Sequence, residues 1–137
     1  MSTLVDSNVI LDVIIPDAKW FDWSASYLSQ CANEGDVIIN PIIYAETSVR
    51  YINADEFDRI LSRQLFVRED LPWPAAFRAG KVQLEYRSGG GAREQTLPDF
   101  FIGAHAEVRG HRLLTRDARR YRAYFPELDI IAPDTHP

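Results

Sequence analysis

The sequence has only one cysteine and no long apolar run. The single cysteine, Cys31, cannot form an internal disulfide, and a metal site built from several cysteines is also excluded. No segment approaches the ~20 consecutive apolar residues of a membrane-spanning helix, and the N-terminus lacks the basic segment and apolar core of a signal peptide. We therefore expect a cytoplasmic protein with no membrane partner. Its 137 residues, 46% hydrophobic and 26% charged, suit a single domain over residues 1–137.

Positive charge is scarce as well. The net charge is −5, and lysine occurs only at positions 19 and 81, whereas arginine occurs thirteen times. A protein of this charge attracts a polyanion only through a local basic patch. The arginines between positions 109 and 122 either form ordinary ion pairs on a solvated surface or bind phosphate oxygens, for which the guanidinium fork is well suited. The candidates for phosphate contacts are Arg112, Arg116, Arg119 and Arg120.

Short, continuous apolar runs alternate with helical segments along the chain. Runs over residues 3–5, 37–39, 113–114 and 128–131 are typical of strands buried on both faces, and a less certain one covers 65–68. Helical spacing, caps and stop signals indicate helices over 18–33, 42–50, 54–63, 75–87 and 98–109, with a helical turn over 7–12 and a glycine-rich loop over 88–96. The alternation predicts an α/β fold with a parallel sheet of four to five strands.

Four acidic residues follow these strands or begin the helices after them. Asp6 follows the first strand, Asp117 follows the run at 113–114, and Glu46 and Asp99 lie near the start of helices. The carboxyl ends of parallel strands meet at one edge of a sheet, so we expect the four carboxylates to converge and to need a cation. Carboxylate oxygens suit Mg²⁺ or Mn²⁺, and such ions support phosphodiester hydrolysis. The three histidines are scattered along the chain, which makes a zinc site improbable.

Each acid alone also has a purely structural interpretation. Asp99 suits a helix N-terminus electrostatically, Asp117 suits the cap of a following helix, and His105 is typical of a packed or solvent-facing histidine. Trp20, Trp23 and Tyr27 recur at helical spacing and indicate either core or a partner surface. Six other acids lack placement at strand ends and are interpreted as surface or capping residues: Asp12, Asp17, Asp22, Asp55, Asp58 and Asp129.

Four ordered motifs resemble those of the PIN-domain ribonucleases, specifically the VapC toxins of bacterial toxin–antitoxin pairs. The motifs are Val5-Asp6-Ser7-Asn8, Tyr44-Ala45-Glu46, Leu97-Pro98-Asp99-Phe100 and Leu114-Thr115-Arg116-Asp117. The resemblance implies a three-layer α/β/α sandwich, Mg²⁺- or Mn²⁺-dependent cleavage of RNA, a homodimer, and inhibition by a small VapB-like antitoxin.

The resemblance also implies residue roles. Asp6, Asp99 and Asp117 match the family's metal-binding aspartates, and Glu46 matches its acidic residue on the helix after the second strand. Asn8 and Thr115 match the polar neighbours that orient the carboxylates or water. We expect the antitoxin to lay an apolar segment on the surface of Trp20, Trp23 and Tyr27 and to direct an arginine or lysine towards the aspartates.

Other protein classes fit the sequence less well. A phosphoacceptor receiver domain needs a lysine late in the chain, and the last lysine here is Lys81. A haloacid-dehalogenase-type phosphatase needs Asp-x-Asp after the first strand, where this chain has Asp6-Ser7-Asn8. A PIN-like module that binds RNA or protein without cleavage remains the main alternative, and loss of RNA hydrolysis in EDTA distinguishes the two.

Overall fold

Five short parallel strands form the centre of the molecule. In this computed structural model, which describes residues 1–90 and 96–137, the strands are β1 (Thr3–Val5), β2 (Val37–Ile39), β3 (Phe66–Arg68), β4 (Arg112–Leu114) and β5 (Ile130–Ile131). Their order across the sheet is β3-β2-β1-β4-β5, with every neighbouring pair parallel. The predicted parallel sheet is confirmed, including the less certain strand near 65–68.

The central strands are apolar because both faces of the sheet are covered. Leu4 of β1 lies opposite Ile38 of β2 on one side and Leu113 of β4 on the other, and all three are buried. The chain runs outward from β1 in both directions, to β2 and β3 and later to β4 and β5. The strand order therefore reverses between β1 and β4, which is the place where open α/β sheets build their sites.

Within residues 1–90 and 96–137, seven helices flank the sheet. They are α1 (Ser7–Ile14), α2 (Phe21–Glu34), α3 (Pro41–Ser48), α4 (Ala54–Ile60), α5 (Trp73–Ser88), α6 (Leu97–Arg109) and α7 (Arg119–Arg122). Helix α1 packs against α2 and α3, and α6 packs against α5 and α7. Since crossovers between parallel strands of one sheet are almost always right-handed, this strand order places the first group on one face and the second on the other. The expected three-layer α/β/α arrangement is confirmed. None of the helices in the described ranges is long and apolar enough to cross a membrane.

Local signals set most helix boundaries. The Asn40 side chain caps α3 by accepting from the Ile43 amide at 2.9 Å, and Pro41 occupies the first helical position. Gly110, with φ of 69°, ends α6 in the left-handed conformation. Helix α5 begins at Trp73, earlier than expected, because a proline is tolerated in a first helical turn. Residues 91–95 of the expected loop over 88–96 lie outside the described residues.

Asp12 is a correction to the sequence interpretation. It is buried between α1 and α2, where it accepts hydrogen bonds from the Ser24 hydroxyl at 2.7 Å and from Arg116 Nε at 2.8 Å. The expectation of a surface acid is wrong for this residue because its partners come from distant parts of the chain. The Arg116 guanidinium also lies over the Trp20 ring, 5.8 Å from its centroid.

Candidate metal centre

Asp6 is a buried carboxylate held by several donors. It caps α1, its exposed fraction is 2%, and its Oδ1 accepts from the Ser7 amide at 2.8 Å. Its Oδ2 accepts from the hydroxyls of Thr115 at 2.9 Å and Tyr121 at 2.8 Å. Burial raises the pKa of Asp6, these hydrogen bonds oppose the shift, and the charge of Asp99 adds to it. The donors stabilise a charge that burial alone would disfavour.

Asn8 and Thr115 connect the ends of β1 and β4. The Asn8 amide donates to Thr115 Oγ1 at 3.3 Å and to Asp6 Oδ2 at 3.4 Å, while its carbonyl oxygen accepts from the Arg116 amide at 3.3 Å. Thr115 Oγ1 also accepts from the Asp117 amide at 3.1 Å. This network fixes the turn after β4, and with it the position of Asp117.

Asp99 projects from the first turn of α6. Its Oδ2 accepts from the Thr96 amide at 3.2 Å and from the Thr96 hydroxyl at 3.3 Å, so the carboxylate also caps the helix. Its Oδ1 accepts from Arg120 Nη1 at 3.4 Å. The capping interpretation and the site interpretation therefore both apply to Asp99, because each uses a different carboxylate oxygen.

Asp117 and Asp99 share a cation. Arg120 Nε donates to Asp117 Oδ2 at 3.2 Å while its Nη1 donates to Asp99, and Arg119 Nε donates to Asp117 Oδ1 at 3.4 Å. Burial would lower the pKa of Arg120, but the negative charges of Asp99, Asp6 and Asp117 outweigh burial and raise it. This guanidinium also opposes the burial that raises the pKa of Glu46, so it interacts electrostatically with all four predicted acids.

Glu46 completes the cluster from α3. Burial raises the pKa of Glu46; the Ser7 hydroxyl opposes this shift, and the charges of Asp6 and Asp99 increase it. Its Oε1 is buried and has no hydrogen-bond partner among the described residues. A buried carboxylate oxygen without a donor is costly unless something else binds it.

The four acids together fit a hard divalent cation. Asp6, Glu46, Asp99 and Asp117 all offer carboxylate oxygens, the ligand type that Mg²⁺ and Mn²⁺ prefer. A cation at this point would bind the Glu46 oxygen that lacks a donor, and it would offset both the burial and the smaller mutual repulsion that raise the pKa values of Asp6 and Glu46. The residues present fit the metal that the sequence predicts.

The four arginines that the sequence offers for phosphate contacts lie in different places in the structure. Arg119 and Arg120 lie beside the acids, with side-chain exposures of 92% and 44%. Arg116 is held by the buried Asp12. Arg112 lies at the opposite, amino end of β4, where it pairs with Glu34 at 3.1 Å. Arg112 therefore does not belong to this cluster.

Tyr121 is a site residue that sequence reasoning missed. It is fully buried in α7, and burial together with the charges of Asp6 and Asp99 raises its pKa well above the usual value, so its hydroxyl stays a donor to Asp6. The sequence shows only an aromatic residue four positions after Asp117. An ordinary core tyrosine would give the same pattern, so this role could not be predicted.

A second polar cluster joins two of the histidines that look scattered in sequence. His105 Nε2 and His111 Nε2 lie 2.7 Å and 2.8 Å from Glu69 Oε1, close enough for the three groups to be considered as metal ligands. The hydrogen bonds of Asn40 argue against a metal site at these three groups. Asn40 Oδ1 is committed to the α3 cap, so its amide nitrogen donates to His105 Nδ1, and His105 Nε2 carries the proton that Glu69 accepts. Burial lowers the pKa of His105, which keeps the ring neutral.

The aromatic stripe of α2 is partly covered by the chain's own C-terminus. Trp23 Nε1 donates to the carbonyl of His136 at 2.7 Å, and the Tyr27 ring lies 5.8 Å from the His136 ring. The expectation that an antitoxin docks on this surface conflicts with these contacts, because the segment at 136–137 already occupies part of it.

A family model covers nearly all of this chain. The PIN domain model matches residues 3–126. The chain belongs to the PIN-domain family. PIN domains are generally nucleases that use divalent metals. No curated protein matches the chain.

Solved structures share the fold of this PIN domain at low sequence identity. A chain of VapBC2 from Rickettsia felis bound to a promoter DNA fragment aligns with a TM-score of 0.75 and 18% identity, covering 96% of this chain and 98% of that one. A chain of FitAcB from Neisseria gonorrhoeae gives 0.72 and 21%, covering 98% and 99%. A chain of VapBC-1 from nontypeable Haemophilus influenzae gives 0.73 and 18%, covering 96% and 98%.

Proposed function

We propose that this PIN domain is a Mg²⁺- or Mn²⁺-dependent endoribonuclease of the VapC type, acting in the cytoplasm as the toxin of a toxin–antitoxin pair. The observation that carries the proposal is the convergence of Asp6, Glu46, Asp99 and Asp117, with a buried Glu46 oxygen that lacks a donor. Family membership supports a nuclease, and the VapBC structures and a toxin–antitoxin complex from Klebsiella pneumoniae among its structural neighbours support the toxin assignment.

The chain's own residues have distinct roles in this proposal. The four carboxylates would hold the metal, which when bound lowers the pKa of water and neutralises charge on the phosphoryl group. Thr115 and Tyr121 hold Asp6 in place through its Oδ2, and Asn8 connects Thr115 to the end of β1. Arg119 is exposed beside the acids and would contact backbone phosphates of the RNA, whereas Arg116 is committed to Asp12.

Substitution of Asp99 by asparagine tests the nuclease assignment. Asp99→Asn keeps the size of the side chain but removes a hard anionic ligand, so we expect RNA cleavage in Mg²⁺ to fall by about 100-fold or more while the fold persists. The parent should lose the same activity in EDTA. Cleavage of a labelled RNA and a circular dichroism melt are the measurements.

Asp129→Asn is the matched control, since it removes the same charge from an exposed site at the amino end of β5. It should cleave RNA at the parent's rate. Cleavage by Asp99→Asn at the parent's rate would exclude the assigned site, and a parent that cleaves no RNA with either metal would favour the non-catalytic binding module.

The antitoxin is the proposed protein partner, and the structure offers it a groove. A cavity of about 200 Å³ between α1 and α3 is lined by Leu11, Ile15, Val49 and Arg50, and Glu46 lies in its wall. Val49 is 78% exposed. An apolar antitoxin segment fits the aliphatic part, and a basic side chain following it would reach the acids. This groove replaces the aromatic stripe as the proposed docking surface.

A second copy of the chain is the other proposed partner. Trp73, Phe77 and Leu84 lie on one face of α5 and are largely exposed, with Trp73 at 87% and Phe77 at 70%. Gly80 lies on the same face with open space around it, so two such helices could approach closely. We therefore place the proposed homodimer interface on this face of α5.

A further inference from the structure

Arg120 places a positive charge against two of the four acids of the cluster. Its Nε lies 3.2 Å from Asp117 Oδ2 and its Nη1 lies 3.4 Å from Asp99 Oδ1. Arg120 is 44% exposed and comes from the short helix α7, so its side chain can leave these carboxylates without a change in the sheet.

The guanidinium and a divalent metal need the same oxygens. A metal ligand must direct its lone pairs at the ion, about 2.1 Å away for Mg²⁺, and a positive charge within hydrogen-bonding distance of the same carboxylates repels that ion. Arg122, in the same helix, pairs instead with Asp134, which lies outside the cluster. The two arginines thus carry equal charge but differ in which carboxylates they contact.

We propose that Arg120 is an internal competitor of the metal: its ion pairs with Asp99 and Asp117 offset part of the negative charge of the metal-free site and must break for the ion to bind. This inference rests on the proposed metal-dependent function and adds a regulatory property to its site. The concentration of divalent ion that loads the enzyme is then set partly by the chain itself, through the strength of these ion pairs.

Mn²⁺ binding without RNA tests the proposal. Titration calorimetry at pH 7 compares the parent chain with Arg120→Gln and Arg122→Gln, which have the same net charge as each other. We expect Arg120→Gln to bind Mn²⁺ about five- to tenfold more tightly than the parent and Arg122→Gln to stay within about twofold of it. The gain should shrink as ionic strength rises, because salt screens the repulsion.

The outcomes separate this inference from the proposed function. Equal or weaker Mn²⁺ binding by Arg120→Gln, with measurable binding by the parent, overturns the competition and leaves the nuclease proposal standing. No binding by the parent or either variant overturns both. Arg120→Ala serves as a second variant if melting in EDTA shows that Arg120→Gln is not folded, and it should show the same gain.

Discussion

Buried negative charge is the main energetic cost of this site at the scale of single residues. Three close hydrogen-bond donors stabilise the charge of Asp6, whereas Glu46 has a buried oxygen with no donor in the described part of the chain. A carboxyl whose pKa is raised by folding binds its proton more tightly in the folded state. Its charge therefore lowers stability above the folded pKa, and stability returns as the pH falls through that pKa.

Glu46→Gln should therefore stabilise the metal-free protein. Burial and the charges of Asp6 and Asp99 raise the pKa of Glu46, so a neutral amide of the same size removes an unfavourable charge at pH 7. We expect a melting temperature about 3 °C higher than the parent's in EDTA. The same variant should gain less stability from added Mg²⁺, since a ligand has been lost.

The pH dependence provides the check on this prediction. In EDTA the parent should become more stable as the pH is lowered from 7 through the raised pKa values of Asp6 and Glu46, and Glu46→Gln should show a smaller change. Glu56→Gln, in the first turn of α4 and away from the cluster, is the control and should melt like the parent. A lower melting temperature for Glu46→Gln at pH 7 would show that the charge of Glu46 does not destabilise the metal-free protein.

At the scale of elements, local sequence signals determined what could be predicted. Helix α6 was expected over 98–109 and spans Leu97–Arg109, because a proline near its start and Gly110 at its end act within one turn. Burial of Asp12 could not be read the same way, since its partner Arg116 lies 104 residues away. The same limit applies to Arg112, whose pairing with Glu34 depends on which strand ends meet.

The exposed apolar face of α5 leads to a testable prediction about self-association. Phe77→Glu places a charge at the centre of the proposed homodimer interface, so it should convert a dimer to a monomer in analytical ultracentrifugation. Val108→Glu is the control, since Val108 is a partly exposed apolar residue of α6 outside that face. A dimeric Phe77→Glu, or a parent that is monomeric at high micromolar concentration, would exclude this interface.

Across the whole molecule, side-chain networks bring distant segments together in ways that one sequence does not show. Glu69, which follows β3, accepts hydrogen bonds from His105 and His111. The His105 ring also contacts Asn40, and the His111 ring contacts Ser2, so hydrogen bonds connect Glu69 to four other parts of the chain. Spacing along the chain could not reveal this cluster. The four acids were predictable because each follows a strand or begins a helix, and the topology of a parallel sheet then places such positions at one edge.

The net charge of −5 restricts how this molecule meets its partners. An acidic surface would repel the proposed RNA substrate, so its binding would depend on the exposed arginines beside the acids, whereas the same surface would attract a basic segment of the proposed antitoxin. The groove between α1 and α3 adds apolar contacts next to that negative centre. On the proposed function, inhibitor and substrate would approach the same edge of the sheet and should exclude each other.

The last prediction follows from that exclusion. Expression of the parent should arrest growth, and co-expression of the small protein encoded beside its gene should restore it. Val49→Asp puts a negative charge on the exposed wall of the groove without touching the four acids, so this variant should still arrest growth but should no longer be rescued or co-purify with the small protein. Ile60→Asp, at a partly exposed apolar position of α4 outside the groove, should be rescued like the parent. Rescue of Val49→Asp would show that the antitoxin binds a surface other than this groove. A parent that is harmless in its native host would exclude the toxin role, and the nuclease proposal would then depend on the RNA cleavage assay alone.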